Sequence, residues 1–179
     1  MVAGLMPTHP LWSQISPVLA NDILLHTQKN NKKLYRTAVD IVAPNIGLRP
    51  VKVMEMPKLE RHAAFTQLLS RPQLEALSFN ILSTWLVDTQ VPMLCAWLDS
   101  LGIAHDEIGC ANSFEPVPDK AALQKALDGL LKGFDPVHVA IYLNAFNEID
   151  EVHWPALGEL LVSDARLKIQ PATASPAAA

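Results

Sequence analysis

Pro57, Pro72, Pro92, Pro118, Pro136 and Pro155 recur at intervals of 15 and 20 residues, then 18 and 19. Proline fits the first turn of an α-helix, where its missing N–H is not needed, and disrupts the interior. Each of the six therefore predicts a helix start. Between them the apolar residues return with a helical period. Leu74, Leu77, Ile81, Leu82, Trp85 and Leu86 share one face, as do Met93, Leu94, Trp97, Leu98 and Leu101. Gly102 stands just past the second of these stretches, where a left-handed cap residue belongs. Val137 to Ile149 is apolar all round, which predicts a helix buried on every side.

The same punctuation suggests an internal echo of residues 57–103 in residues 118–167. Aligned on the prolines, Leu94 matches Leu157, Leu98 matches Leu161, Ser100 matches Ser163 and Asn80 matches Asn144. The identities are few and the offset drifts, so a diverged duplication stands beside an unrelated series of helices. The spacing fits no common helical repeat.

Upstream, Ser16-Pro17 predicts a capped helix start. A further helix runs from about Lys32 to Ala43 and ends at Pro44-Asn45-Ile46-Gly47. Leu48 to Met56 alternates weakly, as a short strand would, but two prolines bracket it and no partner strand exists. It is expected to be an extended connector. Trp12 is expected to be the tryptophan most loosely held, with Trp85, Trp97 and Trp154 in the core. Residues 170–179, rich in Ala and Pro, are expected to be disordered. These readings predict an all-α, single-domain bundle over 1–169, with about seven to eight helices packed as successive antiparallel hairpins.

Half of the 179 residues are hydrophobic and 18% are charged. No run of about 18 uninterrupted apolar residues exists, so no membrane span is expected. Met1 to Ala20 contains no Lys or Arg and three prolines, unlike a secretory signal. Cys95 and Cys110 are too few for a disulfide framework. A soluble cytoplasmic protein is the expectation.

The net charge of −4 hides a division. Residues 1–72 carry nine Lys/Arg against four Asp/Glu, and residues 73–179 carry five against fourteen. Such polarity can steer a charged partner, draw two copies together head to tail, or simply be neutralised within the fold. The densest basic run is Lys29-Asn-Asn-Lys-Lys-Leu-Tyr-Arg36, backed by Arg49, Lys52, Lys58 and Arg61. Lys29, Lys32, Lys33, Tyr35 and Arg36 are therefore the candidate partner-binding residues. A pI near 5.8 is a poor match to a nucleic-acid binder, and none is expected as a partner.

Chemistry-bearing residues concentrate in the connection from Gly102 to Pro118. Connections longer than about 12–15 residues are often functional. His105, Asp106 and Cys110 could supply metal ligands, or a nucleophile and its base. Adjacent His and Asp cannot readily bind one zinc, however, and no second ligand pair stands at a characteristic distance. No HExxH, paired CxxC, GxGxxG or GxSxG pattern occurs, so neither cofactor nor metal is expected. His62 and His138 are expected to be satisfied helix residues. The composite expectation is a non-catalytic module that binds a protein partner or weakly dimerises. The alternative is a small-molecule site or enzyme centred on the Gly102–Pro118 loop.

Overall fold

In the computed structural model residues 7–169 are described, and the expected disordered tail lies outside them. Ten α-helices form among the described residues, and no strand does. The chain is all-α, as its periodicity predicts. It divides into two compact units, one built mainly on His9–Ile81 and the other on Leu82–Lys168. The boundary lies close to the charge division. His9–Ile81 carries nine Lys/Arg against five Asp/Glu, and Leu82–Lys168 carries five against thirteen.

The basic unit begins with helix α1 (Leu11–Gln14). It continues through α2 (Pro17–Asn30), α3 (Lys32–Asn45), α4 (Pro50–Glu55) and α5 (Lys58–Leu69). A 3₁₀ turn at Pro72–Leu74 leads into α6 (Glu75–Thr89), whose first half closes the unit. Ser16 caps α2 by accepting from Leu19 N at 3.2 Å, with Pro17 in the first turn. Asn31 ends α2 and caps α3, accepting from Leu34 N at 3.0 Å. One residue thus separates two helices that pack on each other, and both pack on α5. Ile23, Leu24, Ala38, Val42, Phe65 and Leu69 are all buried in this core.

Two expectations fail here. Leu48 to Met56 is neither strand nor extended connector, because Pro50 opens the short helix α4 after an extended Arg49. Helical geometry buries Val53 completely and leaves Val51 67% exposed, although two-residue alternation would put both on one face. Trp12 is no loose tryptophan. It lies in α1, is 1% exposed, and its indole N–H donates to Ser78 Oγ at 2.7 Å.

The acidic unit holds the end of α6, then α7 (Val91–Leu101), α8 (Lys120–Gly133), α9 (Pro136–Asn147) and α10 (Pro155–Ser163). Only Gln90 separates α6 from α7, and the chain turns there by 90° instead of forming a hairpin. Gly102 adopts φ 68° past the end of α7, and Ile103 N reaches back to Leu98 O at 2.9 Å. Asp119 and Asp135 cap α8 and α9 with side-chain oxygens. Such caps contribute about 0.5–2 kcal/mol each.

Helix α9 is the buried helix its composition predicts. Every residue from Val139 to Asn147 is enclosed. Phe146 holds edge or tilted contacts with Trp97, Phe114, Tyr142 and Trp154, at ring separations of 5.4 to 6.0 Å. No single helix among the described residues is long and apolar enough to cross a membrane.

Candidate functional site

The Gly102–Pro118 loop folds back on itself. Asp106 Oδ1 accepts from Ile108 N at 3.0 Å and from Cys110 N at 2.8 Å. Asp106 N in turn donates to Cys110 O at 2.9 Å. The carboxylate is therefore occupied in shaping a turn, as Asp side chains commonly are. The two ring nitrogens of His105 face acceptors, Nδ1 the Asp106 carbonyl at 2.7 Å and Nε2 the Asp99 carboxylate at 3.2 Å. The carbonyl first, and then Asp99, raise its pKa above the ordinary histidine value. Both acceptors are served by imidazolium, which has no lone pair with which to act as a base. Cys110 is exposed. Burial and the carboxylates of Asp99 and Asp106 push the Cys95 thiol up, against thiolate chemistry. Among the described residues no three His, Cys, Asp or Glu side chains converge as metal ligands. His138 instead meets the Trp85 ring edge-on at 5.1 Å.

What anchors this loop is a glycine. Gly109 has φ 79°, and a Cβ there would stand 2.8 Å from the Cβ of Leu94 on α7. Gly109→Ala is expected to destabilise the protein by about 1–3 kcal/mol, through backbone strain and overpacking together. Thermal unfolding measures the loss. Amide exchange across residues 103–112 should accelerate with it, and an unchanged melting temperature would mean the loop is not clamped to α7.

The richer constellation lies in the basic unit, where four side chains from three helices form a buried chain of hydrogen bonds. Asn21 Oδ1 can only accept, so His62 Nδ1 donates to it, at 2.9 Å. In a neutral ring this leaves Nε2 as the acceptor for Tyr35 Oη, at 3.1 Å. Tyr35 Oη accepts from Arg61 Nε at 2.9 Å. Arg61 Nη1 ends the chain on the Met54 carbonyl at 2.8 Å, with Met56 O at 3.4 Å. Tyr35, Arg61 and His62 are 4%, 6% and 2% exposed. Burial, reinforced by the positive charges of Arg61 and Lys58, pushes His62 down to about 4. His62 is thus the satisfied neutral core histidine that its setting predicts.

Two surface grooves adjoin this chain, Tyr35 and Met54 lining one and Asn21 and His62 the other, while Arg61 lines neither. The first groove, about 590 Å³, lies between α3 and α4. Val39, Pro50, Val51 and Met54 supply its apolar surface, and Tyr35 lines it beside them. Lys32, Arg36, Asp40 and Glu55 supply its charges. The second groove, about 640 Å³, is lined by Trp12, Ile15, Leu59, Asn21 and His62, among others.

The candidate basic residues gather around the first groove. Lys32, Tyr35 and Arg36 line it, while Lys29 and Lys33 stand beside them in sequence and do not. Lys29, Lys32, Lys33 and Arg36 are all exposed, and none pairs with a carboxylate among the described residues. Tyr35 differs from these four. Its ring is buried and its hydroxyl is held inside, so it offers no stacking platform.

Sequence reasoning treats Arg61 as one more surface cation, and the structure places it inside. Its one advance signal is position: Arg61 and His62 lie on the face of α5 that also carries Phe65 and Leu69. No protein-family model, curated protein or solved structure matches this chain.

Proposed function

We propose that this protein is a non-catalytic interaction module, and that its α3/α4 groove receives an amphipathic, acidic segment of a partner protein. The supporting observation is that the exposed, unpaired cations Lys32 and Arg36 line a groove whose walls include Val39, Pro50, Val51 and Met54. Val51 and Met54 are 67% and 45% exposed along its wall, large for isolated apolar residues on so short a helix. A helix laid into such a groove would bury leucine-like anchors at i, i+3, i+4 and i+7. Its acidic residues would meet Lys32 and Arg36. Nucleic acid fits less well, because single-strand binding relies on exposed aromatic faces and Tyr35 presents none. Two free cysteines suit a reducing compartment, and a cytoplasmic location belongs to the proposal.

Replacing Lys29, Lys32, Lys33 and Arg36 together by Gln is expected to weaken binding of a labelled acidic amphipathic peptide by about tenfold or more. Stability should change little, since exposed charges contribute about 0–1 kcal/mol each. Fluorescence anisotropy and urea unfolding measure the two effects. If the substitutions lower stability and leave peptide binding intact, the cations serve the fold and the proposal fails. Steep salt-dependent binding of duplex DNA would assign the cluster to phosphates instead. Self-association lost in the same variant would identify a second copy as the partner.

A further inference from the structure

Hydrogen-bond polarity runs in one direction along the buried chain of the basic unit. The Arg61 guanidinium can only donate, so Tyr35 Oη accepts from Nε and turns its own hydrogen to His62 Nε2. The neutral His62 ring is therefore protonated at Nδ1, which donates to Asn21 Oδ1 at 2.9 Å. This fixes the Asn21 amide, and its Nδ2 hydrogens have no partner among the described residues. Asn21 is half-buried and lines the second groove beside His62. No Asp, Glu, Lys or Arg stands among the described residues that line this groove. The hydroxyl hydrogens of Ser13, Thr66 and Ser70 are already given to backbone carbonyls, and the Trp12 indole N–H to Ser78. Besides Asn21, the side-chain donor left for a guest is the exposed amide of Gln67.

We propose that this groove binds a small uncharged molecule, which sets a carbonyl oxygen against Asn21 Nδ2 and an apolar body against Pro17, Leu59 and Ala63. These three apolar residues all line the groove and are exposed, Leu59 to 70%. At about 640 Å³ the groove falls within the range of about 300–1,000 Å³ typical of small-molecule sites. A charged head group would leave water with no counter-charge to receive it. A neutral carbonyl instead meets a donor whose direction is set before the guest arrives, so little freedom is lost on binding. The site is separate from the α3/α4 groove, and either can fail alone.

The test titrates the full chain with two probes of the same chain length. N,N-dimethyloctanamide accepts hydrogen bonds and donates none, while octanoate carries a charge. The amide probe is expected to bind about tenfold more tightly than octanoate and to shift the NMR signals of the Asn21 side-chain amide. Asn21→Asp keeps an oxygen for His62 Nδ1 and removes the donor. It should weaken binding of the amide probe about tenfold, the scale of one hydrogen bond lost. Should that variant fail to fold, the wild-type shift at Asn21 still decides. If octanoate binds as tightly as the amide, the assignment to an uncharged ligand is overturned. If the amide probe leaves the Asn21 signals in place, or binds Asn21→Asp equally well, the carbonyl contact is overturned. If neither probe binds at millimolar concentration, the groove is no small-molecule site and the proposal falls. None of these results bears on the acidic-peptide test of the α3/α4 groove.

Discussion

Phe146→Ala is expected to destabilise the protein by about 3–5 kcal/mol, the range for removing a large aromatic ring from a packed core. Phe146 is 4% exposed and stands in contact with four other aromatic rings. Two of these, Trp97 and Trp154, are the largest fully buried side chains of the acidic unit. Rings held on several sides cannot easily collapse into the space a lost neighbour leaves, so the cavity contribution should be near its upper range. Urea unfolding at neutral pH measures the loss. A value below about 1 kcal/mol would show that α9 is not the organising helix of its unit.

The second large effect is a loss of stability in acid that traces to one histidine. His62 titrates at about 4 in the folded protein, against 6.5 for an ordinary histidine. Between these values the unfolded chain binds a proton that the folded chain refuses. Stability therefore rises with pH across that window. The contribution is complete above about pH 6.5, falls as pH drops toward 4, and does not change further below it. Its full size is about 3 kcal/mol, from the shift at about 1.4 kcal/mol per pH unit. Protonation would also place a second cation beside Arg61 and take away the lone pair that accepts from Tyr35 Oη. Unfolding free energies measured from pH 7 to pH 4 should show the slope in wild type and a flatter one in His62→Gln. Parallel slopes would mean that other groups carry the acid response.

Much of the architecture was legible because proline and capping chemistry act over a few residues. Pro136 and Pro155 begin α9 and α10, and Ser16 and Asp119 cap the helices that follow them. Leu48–Met56 misled because Val51, Val53 and the two methionines mimic a two-residue period, while the decisive fact is that Pro50 opens a helix. Trp12 misled for a different reason. Its anchor, Ser78, lies 66 residues away, and no local window contains both.

The hydrogen-bonded chain in the basic unit was hidden in the same way. Asn21, Tyr35 and the Arg61-His62 pair are unremarkable in their own helices and span 41 residues of sequence. Only the packing of α2 and α3 against α5 brings them together. The basic cluster, by contrast, was visible as a cluster because its members are neighbours in sequence. What sequence could not supply was the distinction between Lys32 or Arg36, which face solvent, and Arg61, which does not.

Helix α6 runs unbroken through the boundary between the two compact units at Ile81 and Leu82. A fragment of the protein cut at that boundary would end in mid-helix. Its last four carbonyls would lose the amide donors of the next turn, and fraying would spread back toward Ser78 and the indole of Trp12. Dissection of this chain by truncation should instead stop after Thr89. There the helix finishes naturally, with Gln90 N returning to Leu86 O at 2.8 Å. The cost of that choice is an overhang of Leu82, Trp85 and Leu86, all buried in the intact chain and bare in the fragment. Either cut leaves a cost at the new end, because the residues of α6 are shared between the two units.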